Sequence, residues 1–290
     1  TAGELYEEAG LSIEEGEYKK AVKLLNKAIS IAPNPDYYLL MASSYSALEA
    51  YEDEFKTLNS GLGVFPESSW LYNERAMFFE AIGDPDKAIR DYTQGIKFST
   101  NDSITNTLRM NRGIAKSKLR DFQGAYDEFM VCYAFDSTDI LMLNNLSTVC
   151  SEVGKPEDAL GYLYKVIEVD TTAFYAYGNI GFTHQVNGDY EKSIPYFDRV
   201  IEGNPNEPYA LSNRSYSKMK LGDLEGALKD INKSIKLYSA NPYAYRNRAL
   251  IYLEMDKNKK ACADIEMALK YGFSQMYGRE VINLQRKYCQ

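Results

Sequence analysis

Five asparagines recur at a fixed interval of 34 residues: Asn111, Asn145, Asn179, Asn213 and Asn247. An asparagine side chain carries two donors and an acceptor, the inventory needed to hold a peptide backbone whatever side chains it bears. Each such bond contributes about 0.5–1.5 kcal/mol net, so useful affinity needs several acting together. Tyr175, Tyr209 and Tyr243 keep the same interval, and a tyrosine offers a large apolar face with a polar tip, as binding surfaces favour. Arg246 stands beside the last asparagine and would supply a positive charge for an acidic group.

Groups suited to bond-making are sparse. The chain has one histidine, His184, and its four cysteines (Cys132, Cys150, Cys262, Cys289) form no Cys-x-x-Cys. Paired His/Cys spacing for zinc is therefore missing, and no metal or cofactor is expected. No constellation of nucleophile, base and orienting group stands out, which predicts a protein that is not an enzyme. The neighbouring acids Asp127-Glu128 and Glu157-Asp158 read as solvated outer faces of helices.

Composition narrows the classes further. Of 290 residues, 45% are hydrophobic and 26% charged, as in ordinary globular proteins. A net charge of −8 and an isoelectric point near 5.0 argue against nucleic acid, whose phosphates call for a basic face. No apolar run reaches the roughly 18 residues a membrane helix requires. The start, Thr1-Ala2-Gly3-Glu4, is not a signal peptide, although one removed upstream would leave no trace. Both a cytoplasmic and an exported location stay open.

The elements that must position these residues follow from the same period. A small residue recurs two positions after each rung, as Ala9, Ala42, Ala76, Gly113, Ser147, Gly181, Ser215 and Ala249. Twelve residues later comes Ala21, Glu54, Ala88, Ala125, Ala159, Ser193, Ala227 and Ala261. Each unit holds two apolar stretches of helical spacing, joined by turns such as Gly188-Asp189 and Gly222-Asp223. Asp84, Asp121, Asp189 and Asp223 are placed to cap the second helices, and Pro85 and Pro156 to start them. Small residues let paired helices approach, and Leu25, Leu58, Tyr92, Phe129, Leu163, Phe197, Ile231 and Ile265 fill the space between pairs.

This pattern resembles the tetratricopeptide repeat family, whose unit is a 34-residue helix–turn–helix. The segment from Tyr177 through Gly181 and Gly188-Asp189-Tyr190 to Phe197 and Pro205 carries the resemblance best. The resemblance implies an all-α, right-handed superhelical solenoid of antiparallel helix pairs, a single domain over residues 1–290. Its repeats run approximately 2–35, 36–68, 69–102, 106–139, 140–173, 174–207, 208–241 and 242–273, with a capping helix over 274–290. Repeat 2 departs most, with Glu49 and Glu54 in the turn-glycine and alanine slots, and three extra residues near Thr100–Leu108 are expected to lengthen a loop. Pro195, inside a second helix, is expected to bend it.

The resemblance also implies that first helices line a concave groove. The asparagines, the tyrosines and Arg246 would then face an extended peptide, as in family members that use asparagines in this slot. His184 and Cys150 fall in the family's aromatic packing slot, and Cys132 in a small slot, so all three read as core. The family's carboxylate clamp, a Lys and an Asn one turn apart on a first helix, has no counterpart here. Residues 1–206 carry net charge −14 and residues 207–290 carry +6. Arg214, Lys218, Lys220, Arg246 and Arg248 would thus form a basic end that orients an acidic ligand or promotes head-to-tail self-association. The chain length between Cys262 and Cys289 allows a disulfide across an antiparallel cap and also two free thiols. Cys-ended caps recur in Bacteroidetes repeat proteins, and a disulfide would imply export. The functional expectation is a non-enzymatic scaffold that binds a protein or peptide in its groove. A recruiting segment of a larger enzyme or secretion assembly is the alternative.

Overall fold

Side-chain size at the contact decides how closely two helices pair. In the computed structural model, which describes residues 1–289, Ala9, Ala76 and Ala249 are fully buried. A Cβ placed on Gly113 or Gly181 would stand 2.6 or 2.9 Å from the ring of Phe129 or Phe197. Where the second helix presents a phenylalanine the first presents glycine; against Leu25 or Leu58, an alanine suffices.

All regular elements among the described residues are helices, and the chain falls into two compact units. The first, Thr1–Ala159, pairs α1 (Ala2–Glu14) with α2 (Tyr18–Ile31) and α3 (Pro35–Ala47) with α4 (Tyr51–Val64). It continues with α5 (Ser69–Ala81) on α6 (Pro85–Phe98), α7 (Asp102–Lys118) on α8 (Phe122–Phe135), and α9 (Ile140–Glu152). The division falls within α10 (Pro156–Val169). The second unit pairs α11 (Phe174–Val186) with α12 (Tyr190–Gly203) and α13 (Pro208–Lys220) with α14 (Leu224–Leu237). It ends with α15 (Pro242–Glu254) on α16 (Asn258–Lys270), then α17 (Phe273–Tyr277) and α18 (Glu280–Tyr288). Within each unit successive antiparallel pairs stack in chain order, the all-α solenoid arrangement the resemblance implies.

The turn inside every pair needs one residue in the left-handed region. Gly16, Gly83, Gly154, Gly188 and Gly222 supply it without strain, while Glu49, Arg120 and Asp256 adopt φ of 57°, 63° and 55° in the same slot. The caps divide. Asp84, Asp121 and Asp223 accept from the backbone N–H of Lys87, Gly124 and Gly226. Asp189 makes no such bond; its carboxylate pairs with Lys192 instead.

Two expectations change. The extra residues near Thr100 do not lengthen a loop: α7 absorbs them and runs 17 residues against 13 in α5 or α9. Pro195 lies inside α12, which spans it as one helix, so the expected bend is not a break. The cap is two helices, broken at Gly278 with φ 85°, and its last residue, Gln290, lies outside the described residues. Tyr277 and Glu280 fall 34 residues after Tyr243 and Arg246, so α18 stands where a further first helix would begin. Its Val281 is buried against the cluster of Tyr245, Ala249, Ile265, Ala268 and Phe273. Cys262 in α16 and Cys289 after α18 are joined by a disulfide with Cα atoms 5.6 Å apart.

Candidate functional site

The asparagine rungs are not equivalent. Asn111 Nδ2 donates to Asn73 Oδ1 at 3.0 Å, Asn145 Nδ2 approaches Met110 Sδ at 3.8 Å, and Asn247 Nδ2 donates to Ser212 Oγ at 3.1 Å. In each case the partner sits one position before the slot of the preceding rung. Asn247 is fully buried and also accepts from Arg246 Nη1 at 2.8 Å, so it is a packing residue and not a groove contact. Asn111 and Asn145 are half-buried. For Asn213 the partner slot holds Gly178, which has no side chain to offer. Among the described residues, no protein group hydrogen-bonds the side-chain amide of Asn213 or of Asn179.

Around these two rungs the second unit forms a pocket of about 480 Å³. Helix α11 presents Tyr175, Gly178, Asn179 and Phe182 at the three- and four-residue spacing of one face. Tyr209 and Asn213 on α13 form the facing wall, Phe197 and Val200 of α12 the floor, and Phe174, Asn204, Glu207 and Ala210 complete the lining. Tyr175, Phe182 and Tyr209 are 48%, 46% and 57% exposed. Two devices hold the walls. Gln185 Nε2 on α11 donates to the Asn213 carbonyl and to Ser217 Oγ, both at 2.7 Å. Gly203 lets the Phe174 ring seat closely, since a Cβ there would be 2.2 Å from it. Glu207 Oε1 accepts from the Tyr209 N–H at the start of α13.

The C-terminal part of the expected site is already occupied by the chain itself. Tyr243 packs against Phe273 and Tyr277, with ring centroids 6.2 and 5.6 Å away. Arg246 is only 8% exposed, lies between the rings of Tyr216 and Tyr243, and donates from Nε to both carboxylate oxygens of Glu280 at 3.1 Å. Neither residue is available to a ligand as expected. The basic end dissolves in the same way. Arg214 donates to Asp230 and Asp198, Lys218 to Asp230, and Arg248 to Asp264 and Asn232, leaving Lys220 over the Tyr216 ring.

These contacts are a repeated clamp that sequence reading misses. Arg75, Arg112, Arg214 and Arg248 each bind an acid 16 residues ahead: Asp91, Glu128, Asp230 and Asp264. Three also reach 16 residues back, to Asn59, Asp198 and Asn232. Arg112 reaches 19 back, to Thr93, because the three extra residues intervene. Glu128 is therefore not a solvated outer acid. It is buried and receives Arg109, Arg112 and Lys116. Burial pushes its carboxyl upward, but hydrogen bonds and charge from Lys116 and Arg112 outweigh that and hold it below the ordinary range. The readable signal is internal: repeats with arginine in this slot carry the acid 16 residues on, whereas Leu146 and Ile180 are followed there by Tyr162 and Tyr196.

The remaining chemistry-bearing residues are core. His184 is buried, its Nε2 3.0 Å from Tyr164 Oη and its ring stacked on Tyr196. Cys132 and Cys150 are buried, and burial pushes both thiols up to about 11, where the reactive thiolate is scarce. Among the described residues there is no metal-holding cluster, and no helix is long and apolar enough to cross a membrane.

A family model described as tetratricopeptide repeat matches residues 5–35 and 174–207, the second of which contains α11 and α12. These two segments are thus tetratricopeptide repeats, and the other helix pairs share their arrangement. The stacked helix pairs of the chain agree with three solved structures. The C-terminal part of a TPR repeat-containing protein from Cytophaga hutchinsonii is 18% identical with a TM-score of 0.67, over 87% of this chain and 99% of that one. YrrB, described as a TPR protein with an unusual peptide-binding site, is 19% identical with a TM-score of 0.55, over 64% and 95%. The APC/C hetero-tetramer Cut9–Hcn1 matches with 14% identity and a TM-score of 0.60, over 94% and 53%. At these identities the likeness concerns the fold. No curated protein matches the chain in sequence.

Proposed function

We propose that this tetratricopeptide repeat protein performs no chemistry and binds an extended peptide segment of a partner protein on the first-helix face of its second unit. The observation that carries the reading is the unpaired state of the Asn179 and Asn213 amides beside the exposed rings of Tyr175 and Tyr209. Adjacent packed helices lie roughly 8–10 Å apart, a span of about three extended residues at ~3.3 Å each. The two rungs are thus spaced to hold one peptide backbone at two points, with little demand on sequence. YrrB, also a tetratricopeptide repeat protein, is described as having a peptide-binding site, which supports the class of ligand. Asn111, Asn145 and Asn247 already make contacts within the protein, which supports placing the backbone contacts at Asn179 and Asn213.

The test is a selection from a displayed library of unstructured peptides, followed by titration of the enriched peptides. Asn179→Ala with Asn213→Ala should weaken binding by about 1 kcal/mol per lost bond, with imperfect additivity. Equal affinity in a folded double variant would overturn the reading.

A further inference from the structure

We infer that the pocket between α11, α12 and α13 receives one large apolar side chain of the bound peptide, and that Gly178 is the residue that sets this specificity. The inference rests on the peptide-binding reading and names the ligand chemistry within it. Gly178 occupies the slot held by Asn73, Met110, Asn144, Ser212 and Arg246 in other repeats. In three of those repeats the slot is where the next asparagine docks. Glycine is not demanded there by the fold. Gly178 lies inside a regular helix, outside the left-handed region, and a Cβ added to it would meet only Val200 Cγ2, at 3.9 Å. Gly113 and Gly181 are different, because a phenylalanine ring crowds each of them. A mid-helix glycine without such a reason carries a propensity cost that alanine would remove.

What the missing side chain does is visible on both sides. It leaves Asn213 without its usual partner, and it opens the space above Phe197 and Val200 between Tyr175, Phe182 and Tyr209. The lining is chiefly apolar, and Glu207 is its only carboxylate, already accepting from the Tyr209 N–H. A neutral aliphatic or aromatic side chain matches these walls, with the free amides of Asn179 and Asn213 on the flanking backbone. A cationic side chain would find one shared carboxylate and three asparagines, and is the weaker match.

Peptides enriched from an unstructured display library should share one large apolar residue. Replacing that residue by alanine should weaken binding at least about tenfold, as burial of such a side chain implies. Gly178→Leu should fill the pocket and weaken binding to a similar extent while melting no lower than wild type. Gly178→Cys gives a second readout that does not depend on tolerating a large residue. Its thiol should react with a maleimide in the free protein and be protected by the peptide, over a background kept low by buried Cys132 and Cys150. Unchanged affinity in Gly178→Leu, no protection of Gly178→Cys, or a shared cationic anchor would each overturn the inference. Binding lost in the Asn179/Asn213 double variant but retained in Gly178→Leu would sink the pocket and leave backbone capture standing. Binding retained in both would remove both.

Discussion

Asn213 and Asn247 hold the same slot of adjacent repeats, yet one keeps its amide at the pocket and the other is buried between Ser212 and Arg246. Truncating Asn247 to alanine strands buried polar partners and should destabilise the protein by about 1–3 kcal/mol. Asn179→Ala and Asn213→Ala break no internal bond and should stay within about 0.5 kcal/mol of wild type. Urea unfolding of the three variants checks this, and equal losses at 213 and 247 would contradict the assignment. Backbone conformation gives a second expectation at this scale. Arg120 and Glu49 adopt a left-handed φ that costs a non-glycine residue about 1–2 kcal/mol, partly offset by the greater unfolded-state freedom of glycine. Arg120→Gly or Glu49→Gly should therefore raise stability modestly, and a lower melting temperature in either would count against it.

Between helices, the arginine clamps carry the polar part of the packing. Asp230 accepts from both Arg214 and Lys218 and is buried. Burial pushes its carboxyl up, but hydrogen bonds from Arg214 and Lys218 outweigh this and lower it from the ordinary 3.8. A lowered native value means that the ionised clamp contributes fully above the ordinary carboxylate range. That contribution is lost as pH falls through the lowered value. Asp230→Asn should cost about 3–5 kcal/mol near neutrality, as when one partner of a buried pair is removed. The gap to wild type should narrow on acidification below about pH 4; a gap independent of pH would contradict the clamp. The helix pairs and their small contact residues were legible from the 34-residue period, because each slot can be judged by its own size. The clamps were not, because each arginine meets groups 16 residues away in both directions, and taken singly they looked like a basic end. The cap was legible in part. Its disulfide closes a separation of 27 residues, for which chain entropy gives about 3–4 kcal/mol. Cys262→Ser with Cys289→Ser should therefore loosen α18 locally. Hydrogen exchange should show its amides opening faster while α11–α13 keep their protection; no change in α18 would contradict a stapling role.

At the scale of the molecule, most of the expected groove proves to be internal structure, and what stays open is concentrated where one repeat departs from the rest. Glycine at 178 was visible in the sequence but had no meaning until its neighbours showed what normally fills that slot. The differences among the five rungs were not legible, because hydrogen bonds between successive first helices cannot be told from groove contacts by spacing alone. The central claim is that Asn179 and Asn213 present free amides to a peptide backbone. Nuclear magnetic resonance of the asparagine side-chain amides during titration with a library-selected peptide tests it most directly. The account predicts saturable shifts for the Asn179 and Asn213 NH2 groups, with those of Asn111 and Asn247 unmoved; shifts confined to Asn111 and Asn247, or absent from all four at saturation, would contradict it.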